Sequence, residues 1–264
     1  VEGHKVKPEA IGIIGGSGRM GRWFHRLFEQ EGYNVLISDL KGGLSKVEIA
    51  LKCNVIVLSL PINAIEEVIK EVGPLMDRDS LLMDITSLKE EPVRWMMMYT
   101  EGDVIGTHPL FGPDTPSPKD QILFICPGRV KLWDEWFRSF FSKKGMNLIE
   151  IEPSEHDNLM AIIQSLRHAI MVSLGTSLMR SNFDLRTKLD ISGKWFQILI
   201  DILKRQTRQP PDLYVEMILK NHFVPEVFRV WKEAVQEIVD CIESKDRNSL
   251  LKLMKDLALY LEKY

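Results

Sequence analysis

His108 in GTHPLFGP, and Ser87 with Lys89 in DITSLK, are the residues of this 264-residue chain whose types best suit chemistry on a hydroxyl group. A neutral imidazole accepts a proton from a hydroxyl as the carbon bearing it is oxidised. Upstream, IGIIGGSGRMGRWF carries Gly16-x-Gly18-x-x-Gly21, and Asp39 closes the next apolar run, NVLISDL. At that spacing Gly16 permits a tight turn, Gly18 lets the backbone approach a pyrophosphate, and Gly21 lets a helix pack closely on a strand. Asp39 would accept hydrogen bonds from ribose hydroxyls and repel a 2′-phosphate, which favours NAD over NADP, with Lys41 nearby pulling the other way. The predicted cofactor contacts are Gly16, Ser17, Gly18, Arg19, Met20, Gly21 and Asp39, with Leu60 and Pro61 at the end of NVIVLSLP. A glycine turn of this kind also occurs in α/β proteins that bind nothing, and a loop histidine often serves structure alone.

These residues need a scaffold, and the pattern supplies one. From residue 10 to 152 short apolar runs alternate with amphipathic stretches: AIGIIGG, NVLISDL, NVIVLSLP, SLLMDITS, DVIGTHPLFG, QILFICPG and MNLIEIEP read as strands. Continuously apolar strands separated by helices predict a Rossmann-type, mostly parallel sheet covered on both faces. His108, Ser87 and Lys89 then follow strand carboxyl ends, the edge at which such sheets bind ligands. MGRWFHRLFEQEGY should place Trp23, Phe24, Leu27 and Phe28 on one helix face, and the aromatics of LWDEWFRSFF should be core.

From residue 153 to 264 the period is helical. The fold class is α/β plus all-α, with a helical domain following the sheet domain. PSEHDNLMAIIQSLRHAIMVSLGTSLMR reads as one long helix, with Ser154 as N-cap and Asp157 as its capping partner. It is apolar nearly all round, which points to a core or a subunit interface. Arg167 and His168 interrupt it, so they line a polar cleft or are paired, Arg167 with a helix carboxylate in the simplest case. His156 reads as part of the helix start in preference to a substrate contact. The last two helices, EAVQEIVDCIESKDRNSLLKLMKDLALYLEKY, are amphipathic.

Composition sets outer limits. Hydrophobic residues at 45% and charged residues at 27% describe a globular chain, and a net charge of −3 offers no basic face for nucleic acid. No uninterrupted apolar run approaches bilayer length, which predicts no membrane span. Three scattered cysteines, Cys53, Cys126 and Cys241, form no CxxC pair, so disulfides and a metal site are not expected and a reducing cytoplasm is. Residues 1–9 resemble a linker, as a scar of cloning or a cut from a longer polypeptide would leave.

GGSGRMGRWF, DITSLK, GTHPLFGPD, EHDNLMAIIQSLRH and the PPDLY region occur in the order and approximate spacing of prephenate dehydrogenases, and the chain resembles most the type fused to chorismate mutase in enteric bacteria. The resemblance implies NAD-dependent oxidative decarboxylation of prephenate to 4-hydroxyphenylpyruvate in tyrosine biosynthesis, with no metal. It implies that His108 hydrogen-bonds the ring hydroxyl, that Ser87 supports both, and that Lys89 belongs to the same substrate site. It assigns substrate binding to His168, with Arg167 beside it, and the side-chain carboxylate to Arg205, with Lys204 and Arg208 close enough to leave the register open. It also implies a homodimer built from the helical domain and is consistent with fusion to, or excision from, chorismate mutase. A β-hydroxyacid dehydrogenase would want a lysine where IIQSLRHAI has arginine and histidine. An arogenate dehydrogenase would want a carboxylate near LKRQTRQ, which reads as purely basic. A non-catalytic NAD-binding regulatory protein would have no use for the hydroxyl-facing pair.

Overall fold

The computed structural model describes residues 6–40 and 42–264. Lys41 and residues 1–5 of the linker-like tail lie outside the described residues. Residues up to Asn221 form one compact unit and residues 222–264 a second. This division falls later than the change of sequence character at residue 153, because the helix that begins there packs on the sheet unit.

The first unit is built on an eight-stranded sheet: β1 (Ile11–Ile14), β2 (Val35–Asp39), β3 (Gly42–Gly43), β4 (Val55–Leu58), β5 (Leu81–Asp84), β6 (Asp103–Pro109), β7 (Ile122–Arg129) and β8 (Asn147–Glu150). Their order is β3-β2-β1-β4-β5-β6-β7-β8. All pairings are parallel except β2 with β3 and β6 with β7. The two-residue β3 escaped the sequence reading because a Gly-Gly pair carries no apolar signal; Gly43 has a φ of 91°, open to glycine at little cost. β1 lies between β2 and β4, so the connections leave it in opposite directions and open a crevice at its carboxyl end.

Both faces are covered, as continuously apolar strands require. Ile11, Ile13, Val55, Val57 and Met83 share one core with the aromatics of α1 (Arg19–Glu29) and α5 (Asp134–Lys143). Ile14, Ile56, Leu58 and Leu82 share the other with α2 (Lys46–Lys52), α3 (Ile65–Val72) and α4 (Glu90–Tyr99). The buried face of α1 is Trp23, Phe24, Leu27 and Phe28, the set its 3.6-residue period predicts. Cys53, Cys126 and Cys241 are free and buried.

α6 (Pro153–Met160), a π-helical turn (Ala161–Leu166) and α7 (Arg167–Arg180) make the predicted long helix. Its start differs from the expectation. Glu152 occupies the cap position without a side-chain cap bond, Pro153 opens the first turn, and Ser154 is inside the helix. Proline suits that place because its missing N–H would have no intrahelical acceptor there. Asp157 has another task, described below. By length and composition this segment is apolar enough to cross a membrane, with a mean hydropathy of 1.3 over its most apolar stretch, and 28% of that stretch is buried. His156, Asp157, Gln164, Ser165 and His168 have hydrogen-bond partners within the unit. α8 (Leu185–Lys188), α9 (Lys194–Thr207) and α10 (Pro211–Lys220) complete the first unit.

The second unit is a pair of amphipathic helices, α11 (Val224–Glu243) and α12 (Arg247–Leu261). Asp246 caps α12 by accepting from the backbone N–H groups of Asn248 and Ser249.

Candidate active site

The carboxyl ends of β5 and β6 sit side by side, in register from Leu81 with Asp103 to Asp84 with Gly106. Asp84 ends β5, and the turn after it carries Thr86, Ser87 and Lys89. Thr86 donates to the Asp84 carboxylate. Lys89, predicted to meet substrate, is fully buried instead. Its ammonium pairs with Asp84 and donates to the Thr107 carbonyl at 2.7 Å. A buried ammonium is tolerated only when paired and hydrogen-bonded, so Lys89 ties the two strand ends together from inside the protein.

Thr107 precedes His108, and the strand alternation turns His108 the other way. His108 is buried, with its ring stacked near Phe124. Its Nδ1 lies 2.9 Å from His156 Nε2, and its Nε2 lies 3.2 Å from the side-chain amide nitrogen of Gln164. His156 Nδ1 in turn lies 2.7 Å from Asp157 Oδ1. Asp157 also accepts from the backbone N–H of Lys89 at 2.8 Å and of Glu90 at 3.0 Å, capping α4 from a distant helix. Burial, aided by His156 and the Lys89 charge, holds His108 well below the usual histidine range, so it is a neutral base at neutral pH. Burial also lowers His156, against the opposing pull of Asp157.

His156, Asp157 and Gln164 form the surroundings of His108, an arrangement that sequence reasoning did not anticipate. The signal was EHD itself, a histidine–carboxylate pair at the head of an apolar helix, but as sequence it reads equally well as helix-start chemistry. Gln164 reaches His108 from the π-helical turn, a local widening of the kind often found at functional sites. Ser87 is half-buried in the turn after β5, and the ring nitrogens of His108 are engaged by His156 and Gln164. Here it is the helix, through His156 and Gln164, that meets both ring nitrogens of His108, where the resemblance assigned support to Ser87.

One turn beyond Gln164, His168 is buried against Tyr214, with ring centroids 4.1 Å apart. Its Nδ1 lies 3.0 Å from Gln206 Oε1 and its Nε2 3.0 Å from the Arg167 guanidinium. Burial, with a smaller contribution from Arg167, pushes its pKa down to about 4, against the hydrogen bond to Gln206. Arg167 is exposed; it bonds the Ile163 carbonyl and His168 and not a helix carboxylate, the pairing that is one of its two sequence readings. Arg205 is exposed at the end of α9. With Lys204, Arg208, Asp201, Asp114 and Gln209 it lines a cavity of about 530 Å³. That cavity is not purely basic, because the fold brings Asp114 from the loop after β6 and Asp201 from α9 beside the three cations. Both Arg167 and Arg205 act electrostatically on Tyr214, which gathers His168, Tyr214 and the two arginines into one neighbourhood.

At the end of β1 the glycines divide their tasks differently from the simple reading. Gly15, not Gly16, has the left-handed φ of 84° that makes the turn. Gly16 is required for space, since a Cβ there would come within 2.6 Å of the Ile37 side chain. A Cβ on Gly21 would lie 2.3 Å from the Gly15 carbonyl oxygen, which confirms the close packing of helix on turn. Around Gly18 the nearest atom to such a Cβ is again that oxygen, at 3.1 Å, and the outer side of the loop is open for a phosphate at the N-terminus of α1. Asp39 Oδ2 accepts from Ser17 N–H at 3.1 Å and Oδ1 from Leu40 N–H at 2.8 Å, holding the carboxylate beside the glycine loop. Arg19 differs from expectation: its guanidinium bonds both Asp114 oxygens, at 2.8 and 2.7 Å, and Gln209 at 2.8 Å. Its contribution to a phosphate is then its place in the first turn of α1. Met20 packs on the aromatic core, Leu60 packs on the opposite core beside Gly15, and Pro61 is exposed. The cradle fits a dinucleotide.

Residues 33–127 match the nucleotide-binding domain of prephenate dehydrogenase, and residues 152–256 match its dimerization domain. The chain belongs to the prephenate dehydrogenase family. It is 35% identical over 94% of its length to a probable arogenate/prephenate dehydrogenase of Methanocaldococcus jannaschii, of which it covers 60%. It is 30% identical over 90% of its length to the T-protein of Enterobacter agglomerans, of which it covers 64%. The chain thus spans less than two thirds of these longer relatives. A solved structure of prephenate dehydrogenase from A. aeolicus, in complex with hydroxyphenyl propionate and NAD+, superposes with a TM-score of 0.77 at 15% identity, covering 98% of this chain and 99% of that one. It shares the fold.

Proposed function

We propose that the chain catalyses the NAD-dependent oxidative decarboxylation of prephenate to 4-hydroxyphenylpyruvate. The observation that carries the reading is His108, a buried neutral imidazole whose Nδ1 is committed to His156 and whose Nε2 meets a side-chain amide that a substrate hydroxyl can displace. NAD, when bound, supplies the hydride acceptor. His108 Nε2 takes the hydroxyl proton as the ring carbon becomes a carbonyl. Loss of the ring carboxylate as carbon dioxide then makes the ring aromatic, and His108 returns the proton to the phenolate oxygen. Arg205, with Lys204 and Arg208 alongside, supplies the positive charge that a dicarboxylate needs, and Arg167 extends it towards His168. Ser87, on the strand-end turn, contacts the same hydroxyl. Asp39 selects NAD over NADP through the ribose. The chain works as a soluble homodimer through its helical segments.

Arogenate is the second reading, and Asp114 and Asp201 in the cationic cavity are the observation that favours it, since a substrate ammonium would pair with either. Two features weigh against it. Asp114 is already clasped by Arg19, and Asp201 is an exposed residue 3.9 Å from Lys204. The test is NADH formation followed at 340 nm with each substrate and each nicotinamide cofactor. Turnover of prephenate with NAD at least tenfold above the other combinations is expected, and a preference for arogenate would reverse the assignment.

A further inference from the structure

We propose that Asp157 and His156 are positioning residues for His108: they form a hydrogen-bonded relay that holds the His108 proton on Nδ1, leaves Nε2 as the basic nitrogen, and shares the charge when His108 is protonated. The inference rests on His108 as the base of the proposed reaction and concerns how that base is set.

The order of donors and acceptors follows from the fixed end. Asp157 receives backbone N–H groups on both carboxylate oxygens, from Lys89 and Glu90, at the N-terminus of α4, where the helix dipole favours negative charge. Its contact with His156 Nδ1 at 2.7 Å therefore has the histidine as donor. A neutral His156 with its proton on Nδ1 presents a lone pair at Nε2. The 2.9 Å contact with His108 Nδ1 then requires His108 to donate. His108 Nε2 is left with the lone pair, and the Gln164 amide, which has protons to give, lies 3.2 Å from it. Reversing one histidine would set two lone pairs or two protons face to face in a site where His108, His156 and Asp157 are all buried. The charged or titratable groups around the pair are Asp157 on α6, Lys89 at the start of α4 and Asp84 on β5, the last two joined to each other.

The relay differs from a structural clamp in what it does to nitrogen protonation. In protein labelled with ¹⁵N at histidine, without substrate at pH 7, His108 is expected to show a protonated Nδ1 and an unprotonated Nε2. In His156→Leu the proton should redistribute towards Nε2 and kcat should fall on the order of 100-fold. His156→Gln, whose carbonyl oxygen can still accept from His108 Nδ1, should restore the tautomer and part of kcat. In Asp157→Asn the acid limb of the kcat profile should move to lower pH, because the imidazolium loses its counter-charge, with the affinity for NAD measured by fluorescence unchanged. A parent protein with His108 protonated on Nε2 overturns the relay, and that measurement needs no variant to fold. So does a His156→Leu protein with unaltered nitrogen shifts and pH profile. The expected shifts together with no turnover of prephenate or arogenate would support the relay while removing the proposed reaction.

Discussion

The pH dependence expected of the proposed reaction follows from where His108 sits. Its burial lowers its proton affinity, so the base form persists below the ordinary histidine value of about 6.5. The acid limb of kcat/KM is expected below that pH, and His108→Asn should lose about 10²- to 10⁴-fold in kcat while binding NAD as before, by stopped-flow and fluorescence titration. His168 makes a related prediction about stability. Its folded pKa of about 4 lies below the unfolded value, so between about 6.5 and 4 the unfolded chain binds a proton that the folded chain does not. Stability is complete above that window and is lost as pH falls through it. Melting temperatures should decline over that range, less steeply in His168→Asn. Lys89 separates a structural role from a substrate role. Lys89→Met leaves Asp84 buried without its cation and should cost about 3–5 kcal/mol in urea unfolding. A variant of parental stability with only a raised KM would restore Lys89 to the substrate site.

At the scale of elements, strand ends and helix ends meet, and backbone groups do much of the positioning. The N-terminus of α1 is pressed against the β1 turn so closely that only hydrogen fits at Gly21. Gly21→Ala is expected to lose about 1–3 kcal/mol by overpacking, and its NAD affinity should fall by at least tenfold in equilibrium titration, because backbone must move to admit the methyl group. At α4 the capping carboxylate comes from α6, so the helix that carries His156 is tied to the turn that carries Ser87 and Lys89. The π-helical turn then rotates the remainder of that helix so that Gln164 faces His108 and His168 faces Gln206. One helix thus reaches both His108 on β6 and Gln206 on α9.

For the whole molecule, the helical segments expose many large apolar side chains. Trp195 is 84% exposed and Ile191 83%. In the second unit Met254, Leu257 and Tyr260 are exposed along α12, which buries no residue at all. Such a face calls for a partner, and the match of residues 152–256 to a dimerization domain agrees with a second copy of this chain. A dimer is expected in sedimentation equilibrium, and Leu257→Asp should shift it towards monomer or aggregate. A monomeric parent would remove that reading.

Sequence alone determined seven of the sheet's eight strands, the place of the glycine loop beside Asp39, the aromatic face of α1, the helical second half and the place of His108 at a strand end. Those features depend on local period, on glycine sterics and on the order of apolar runs, all of which are legible within some twenty residues. Tertiary structure decided the rest. The sequence cannot show that Lys89 turns inward, because its partners Asp84 and Thr107 sit on two different strands. EHD reads as a helix start until α6 packs against β6 and β7, when His156 meets His108 and Asp157 meets the N-terminus of α4. LKRQTRQ reads as purely basic until Asp114 arrives from another loop. In each case the residue's role is set by a group far away in the chain, and burial then makes an unpaired alternative too costly to persist.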